Sequence, residues 1–142
     1  MQLFIGGAYA GKRAAVRQRF DSPRWHSAYD GKSLDAWRSA VEEGRSLVLE
    51  GWELWLEAEL ACEPDNDRIR SRMCDELEAI RALEDALGPR IVLIMLEMGR
   101  GIVPMDADDR RLRDLAGWLA QDAATHCEQV WYVWHGLARP LA

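Results

Sequence analysis

Residues 2–20 read QLFIGGAYAGKRAAVRQRF. The apolar run at 2–5 predicts a short strand, Gly6-Gly7 a turn, and residues 11–20 a helix. Across that unit, Gly6-Gly7-Ala8-Tyr9-Ala10-Gly11-Lys12 matches the pattern GxxxxGK. Backbone N–H groups of such a loop and the N-terminus of the helix cradle phosphates, while the lysine reaches the β and γ oxygens. Gly6, Gly7, Ala8, Tyr9, Ala10, Gly11, Lys12 and Arg13 are therefore the candidate nucleotide-binding residues, with Lys12 a candidate catalytic residue. The pattern next asks for Ser or Thr, whose hydroxyl ligates Mg²⁺. Arg13 stands there instead, a cation that ligates no metal and is able to contact phosphate. Two alternatives follow: magnesium held by other groups and water, or metal-dependent transfer weakened.

Outward from this unit, residues 46–50 (SLVLE) have the character of a buried parallel strand. They feed GWELWLEAELA, where Leu54, Trp55, Leu56 and Leu60 suit a packed helix. A long helix is predicted up to Leu87 on the stripe Ile69, Met73, Leu77, Ile80, Leu83 and Leu87, stopped by Gly88-Pro89. Residues 90–96 (RIVLIML) are apolar on both faces and belong in the middle of a parallel sheet. After a loop from Glu97 to Met105, a helix from about Asp106 to His126 turns Leu112, Leu115, Leu119 and Ala123 inward. Residues 129–135 (QVWYVWH) alternate as a strand, and Gly136 turns the chain into LARPL, an edge hairpin. Residues 21–32 carry turn formers and no periodicity, and read as loop. Ser33 is placed to cap a helix to about Glu43, with Leu34, Trp37 and Val41 on one face and Gly44 closing it.

Strands alternating with helices predict one α/β domain over residues 1–142, a three-layer sandwich with a mostly parallel sheet and a C-terminal edge hairpin. Ligands in such sheets bind outside the carboxyl ends of the strands, here the loops after Ile5, Glu50 and Leu96. Glu50 stands where a Walker-B carboxylate would sit and is the second candidate catalytic residue. Glu97 ends the central strand and is a further candidate; both are able to orient Mg²⁺ through water or act on a substrate hydroxyl. Strand-end carboxylates also serve as helix caps.

Composition narrows the function further. The 142 residues are 49% hydrophobic and 30% charged, a globular composition that excludes disorder. With 24 acidic against 18 basic residues the net charge is −6, which disfavours general nucleic-acid binding. Three cysteines, Cys62, Cys74 and Cys127, fit neither a disulfide framework nor a metal site, and His126 and His135 are too isolated to be ligands. No segment has the ~20 apolar residues of a membrane span and no signal-peptide core is evident, so the expected compartment is the cytoplasm. The tryptophans Trp52, Trp55, Trp131 and Trp134 are expected in core or subunit-interface packing, and Arg110, Arg111 and Arg113 on a solvated helix face.

The run Gly99-Arg100-Gly101-Ile102-Val103-Pro104, then Arg110-Arg111-Leu112-Arg113-Asp114-Leu115-Ala116-Gly117 with Gln121, then Glu128 through Leu137, resembles a family signature. The family is that of bifunctional adenosylcobinamide kinase/adenosylcobinamide-phosphate guanylyltransferases, whose motifs read NEVGxGIVP, RxFRDxAGxxNQ and EVWLVVSGIP. Its GGARSGKS loop is similar to Gly6 through Arg13, and its LLDCLTLWLSNLL to Leu47 through Leu60. The resemblance implies a three-layer P-loop nucleotide-binding fold and a protein of cobalamin biosynthesis, often a trimer, that phosphorylates the aminopropanol hydroxyl of adenosylcobinamide with ATP or GTP. It further implies transfer of GMP from GTP through a guanylylated histidine. By the same resemblance Lys12 stabilises charge on the transferred phosphoryl group and Glu50 holds the Walker-B position. Three departures are visible. The interval from Gly6 to Glu50 is too short for the family's second strand and its helix bearing RHxxxRP, since a βαβ crossover takes about 30 residues. His26, in the context Pro23-Arg24-Trp25-His26-Ser27, reads as a surface loop residue rather than the nucleophile. Leu96, Ala120 and His135 replace polar family positions. The expectation is an adenosylcobinamide kinase-like transferase, homo-oligomeric, with guanylyl transfer disfavoured; the alternative is a non-catalytic P-loop paralogue acting as a binding or assembly subunit.

Overall fold

The computed structural model describes residues 1–98 and 106–141. In chain order the elements are β1 (Gln2–Gly6), α1 (Lys12–Arg19), β2 (Arg24–Ser27), β3 (Leu47–Glu50), α2 (Trp52–Cys62), α3 (Asn66–Leu87), β4 (Ile91–Leu96), α4 (Ala107–His126), β5 (Gln129–Trp134) and β6 (Leu137–Leu141), with 3₁₀ helices at Ala28–Asp30 and Leu34–Ala40. They build one six-stranded sheet in the order β2-β3-β4-β1-β5-β6. Every neighbouring pair is parallel except the β5–β6 hairpin. The α/β class, the mostly parallel sheet and the terminal hairpin are as the sequence predicts.

Side-chain alternation sends β4 into two cores. Ile91, Leu93 and Met95 pack with Leu3, Leu47 and Leu49 against α2, α3 and α4, while Val92 and Ile94 pack with Phe4, Val48 and Val133 against α1. Helices thus cover both faces, giving three layers. Trp52 and Trp55 meet edge to face at 4.9 Å inside the larger core. Trp131 stacks on Phe4 at 5.9 Å, and Trp134 points out to solvent from the hairpin.

Several expectations need correcting. The stretch 21–32 is not all loop: Arg24–Ser27 is an edge strand in register with Leu47–Glu50, so a second strand does lie between α1 and β3. The α-helix expected from Ser33 to Glu43 is a 3₁₀ helix that stops at Ala40. Leu34, Trp37 and Ala40 recur every third residue, which aligns them on one side of a 3₁₀ helix, and Trp37 and Ala40 are buried. Val41 follows in extended backbone, outside the helix. Leu54 and Leu87 are exposed rather than packed. Arg111 does not sit on a solvated face: its Nε donates to Asn66 Oδ1 and its Nη2 to Glu63 O, both at 2.8 Å, tying α4 to the α2–α3 turn. The segment 99–104, which carries part of the family resemblance, lies outside the described residues.

Two further details position the layers. Gly51, directly after β3, has φ +88, and a Cβ there would stand 2.6 Å from Ala28 Cβ. Between α3 and α4, Arg70 Nε and Nη2 donate to the two oxygens of Asp122 at 2.9 Å, and Cys74 Sγ adds a contact at 3.2 Å. The hydrogen bond from Arg70 holds the Asp122 carboxyl below the usual carboxylate range, and burial pushes the Cys74 thiol up to about 11.

Gly51→Ala should cost about 2–3 kcal/mol, left-handed strain of about 1 kcal/mol plus displacement of Ala28, and lower Tm by about 5–10 °C. Gly44→Ala, at φ +73 with open space around it, should cost only the strain, about 1 kcal/mol; equal losses in thermal denaturation would refute the close contact. Because the native pKa of Asp122 is depressed, its pairing stabilises fully above about pH 4, the unfolded value, and is lost as pH falls through the native one. Asp122→Asn should therefore trail wild type in urea unfolding at neutral pH, with the gap closing as the pH falls below the ordinary carboxylate range.

Candidate active site

β1 ends at Gly6, paired with Leu96 on one side and Val133 on the other. A Cβ at Gly6 would come within 2.3 Å of Val133 O, so the central strand accepts no side chain where it opens into the loop. The chain then turns, with Ala10 N donating to Gly7 O at 3.3 Å and Tyr9 fully exposed at the tip. Gly11 is the N-cap of α1 and offers no side chain to its amides, and the first turn carries no acidic residue. The helix N-terminus therefore keeps its unsatisfied N–H groups and partial positive charge for an anion. The loop leans on the β5–β6 turn, where Gly136 N donates to Ala10 O at 2.8 Å.

Lys12 Nζ donates to Gly7 O at 2.7 Å and Gly6 O at 3.2 Å, folding back over the loop. Burial pulls its pKa below the usual lysine value, opposed by the carboxylates of Glu53 and Glu50. Two of the three ammonium donors are engaged, leaving one to meet an acceptor above the loop.

Glu50 ends β3 on the face that Val48 turns toward α1, and it is 2% exposed. Its carboxylate is taken by Arg13 through both oxygens: Nε donates to Oε2 at 2.9 Å and Nη2 to Oε1. Arg13 also lies over the ring of Trp25, Cζ 5.4 Å from the centroid, and Arg17 lies over the same ring at 5.0 Å. The hydrogen bond to Glu50 raises the Arg13 pKa further. Sequence reading named Arg13 and Glu50 separately and missed their pairing, along with Arg17 and Trp25; the helical i, i+4 spacing of Arg13 and Arg17 was the available signal.

A cleft of about 760 Å³ opens over these groups, lined by Tyr9, Lys12, Arg13, Arg17, Tyr29 and Glu50 among others. Ala8, Ala10 and Gly11 also line it, while Gly6 and Gly7 supply the carbonyls that hold Lys12. At its rim Tyr29 donates to Glu53 Oε2 at 2.6 Å. Glu97 is not among the described residues lining the cleft; its Oε2 accepts from Tyr132 at 2.9 Å. His26 is not a surface loop residue: it is 3% exposed in β2, its Nε2 2.7 Å from Ser33 O. The interval between α1 and β3 contains no α-helix.

These residues do not fit a magnesium ion. Mg²⁺ needs oxygen ligands in near-octahedral geometry, yet position 13 presents a guanidinium and both oxygens of Glu50 already accept from it. A dication bound to Glu50 would face Arg13 at a few ångströms, with strong repulsion in a buried setting.

The profile of the family described as cobinamide kinase / cobinamide phosphate guanyltransferase matches residues 11–141. Over 137 residues the chain is 34% identical to the bifunctional adenosylcobalamin biosynthesis protein CobP of Pseudomonas aeruginosa, covering 96% of this chain and 76% of that protein. Over 63 residues it is 35% identical to the bifunctional adenosylcobalamin biosynthesis protein CobU of Salmonella typhimurium, covering 44% of this chain and 35% of that one. With a GxxxxGK loop following the central strand of a mostly parallel sheet and a match that runs nearly end to end, the chain belongs to the cobinamide kinase / cobinamide phosphate guanyltransferase family.

Proposed function

We propose that this chain is a nucleotide-binding protein of cobalamin biosynthesis acting as an adenosylcobinamide kinase, with ATP or GTP as phosphoryl donor. One observation carries the reading: the loop from Gly6 to Lys12 opens its amides and an uncapped helix N-terminus onto a cleft that also holds Arg13 and Glu50. In this reading the loop amides and Lys12 bind the triphosphate. The aminopropanol hydroxyl oxygen bonds to the γ-phosphorus as the γ-phosphorus–oxygen bond to the nucleoside diphosphate breaks, and the hydroxyl proton is released to solvent. Lys12 then neutralises charge gathering on the transferred group, and positioning with electrostatics supplies most of the acceleration. Glu50 acts as a positioning residue, holding the Arg13 guanidinium at the cleft.

Guanylyl transfer through a histidine is not part of the proposed activity. His26 is buried on a backbone carbonyl, and no α-helix occupies its interval. The proposal includes a homo-oligomer, supported by the exposed Trp134, Leu137 and Leu141 of the free-edge hairpin. Among the described residues no helix is long and apolar enough to cross a membrane.

Mass spectrometry of adenosylcobinamide incubated with the protein and ATP or GTP should show added phosphate and no added GMP. Added GMP would overturn the single-step reading. An unchanged corrinoid, with nucleotide still bound, would favour the non-catalytic subunit. Lys12→Ala should weaken nucleotide binding by about tenfold to a hundredfold, the worth of a charge-assisted hydrogen bond or two, and abolish phosphate transfer.

A further inference from the structure

The charge that a P-loop normally takes from a metal has a visible substitute here. A magnesium ion in such a site bridges phosphate oxygens and adds two positive charges. In this chain Arg13 and Arg17 bring two guanidinium groups into the same cleft, one helical turn apart on α1, with the charge of one offset by Glu50. Both side chains are exposed, and each has a contact that orients it. Arg13 is held from one side by both oxygens of buried Glu50, and both guanidinium groups lie over the ring of Trp25. A guanidinium has five N–H donors, so the pair with Glu50 leaves three on Arg13 for phosphate oxygens. The strand that delivers Trp25, β2, sits beside β3, which places the ring next to α1.

We propose that Arg13 and Arg17, fixed by Glu50 and Trp25, take the place of the divalent cation on the phosphate chain of a bound nucleoside triphosphate. Nucleotide binding by this chain is then independent of magnesium. The proposal rests on the nucleotide reading given above and goes beyond it in assigning the counter-charge to two side chains.

Calorimetric titration of the wild-type protein with ATP, GTP and their β,γ-imido analogues, in excess magnesium and in excess EDTA, tests this without any substitution. The dissociation constants in the two media should agree within about threefold, a difference well under the tenfold that corresponds to 1.4 kcal/mol. Binding in magnesium that collapses in EDTA would overturn the proposal and leave the nucleotide reading intact. Binding in neither medium would overturn both. Arg13→Ser strips buried Glu50 of its partner and risks unfolding, so the informative variant is Arg17→Gln, which leaves that pair in place. In EDTA it should bind about tenfold or more weakly than wild type. Unchanged binding would overturn the role given to Arg17.

Discussion

Glu50 puts a full negative charge at the end of a strand buried along its whole length. An unpaired carboxylate in that place would cost several kcal/mol, so its partner is a structural necessity before it is a chemical one. That partner, Arg13, is the second residue of α1. The bidentate contact therefore ties the start of the helix to the end of β3, and with it the loop that precedes the helix. Helical spacing then brings Arg17 onto the ring that Arg13 already covers, and the walls of the cleft follow from those placements.

The same contact redistributes charge relative to the family pattern. A hydroxyl at position 13 would leave Glu50 free to help hold a hydrated cation. A guanidinium at that position fills the space and satisfies the carboxylate in a single substitution. The short passage between α1 and β3 matters for the same reason. That interval holds 3₁₀ turns and no α-helix, and its strand β2 presents Trp25 beside α1 as a platform for two cations.

Most of the fold was legible because its periods are strong. β4 is apolar at each position, α3 and α4 carry clean stripes, and β5 alternates. The buried residues Ile69, Met73, Leu77 and Ile80 were named from spacing alone. The second strand was not legible: four residues after a proline, bonded to a single neighbour, show too little pattern to separate from a turn. A period of three was taken for 3.6 at Leu34–Ala40, because Leu34 and Trp37 satisfy both. In the site, the GxxxxGK loop is a local motif, and its place between β1 and α1 could be read directly. The pairing of Arg13 with Glu50 spans 37 positions and depends on which face of β3 looks toward α1, information that exists only once the sheet is assembled.

The sheet order has a consequence for how the molecule is made. β1 precedes in the chain the two strands that flank it, β4 and β5, whose residues begin at Ile91 and Gln129. Until those segments are synthesised, the apolar strand that leads into the Gly6–Lys12 loop lacks both of its native neighbours. Formation of the central strand is thus a late, long-range event rather than a vectorial one, slow on topological grounds and open to misassociation while it waits. A strand made before both of its neighbours thus waits for the last third of the sequence, and only when β5 has formed beside it is the β-sheet closed around the loop that follows Gly6.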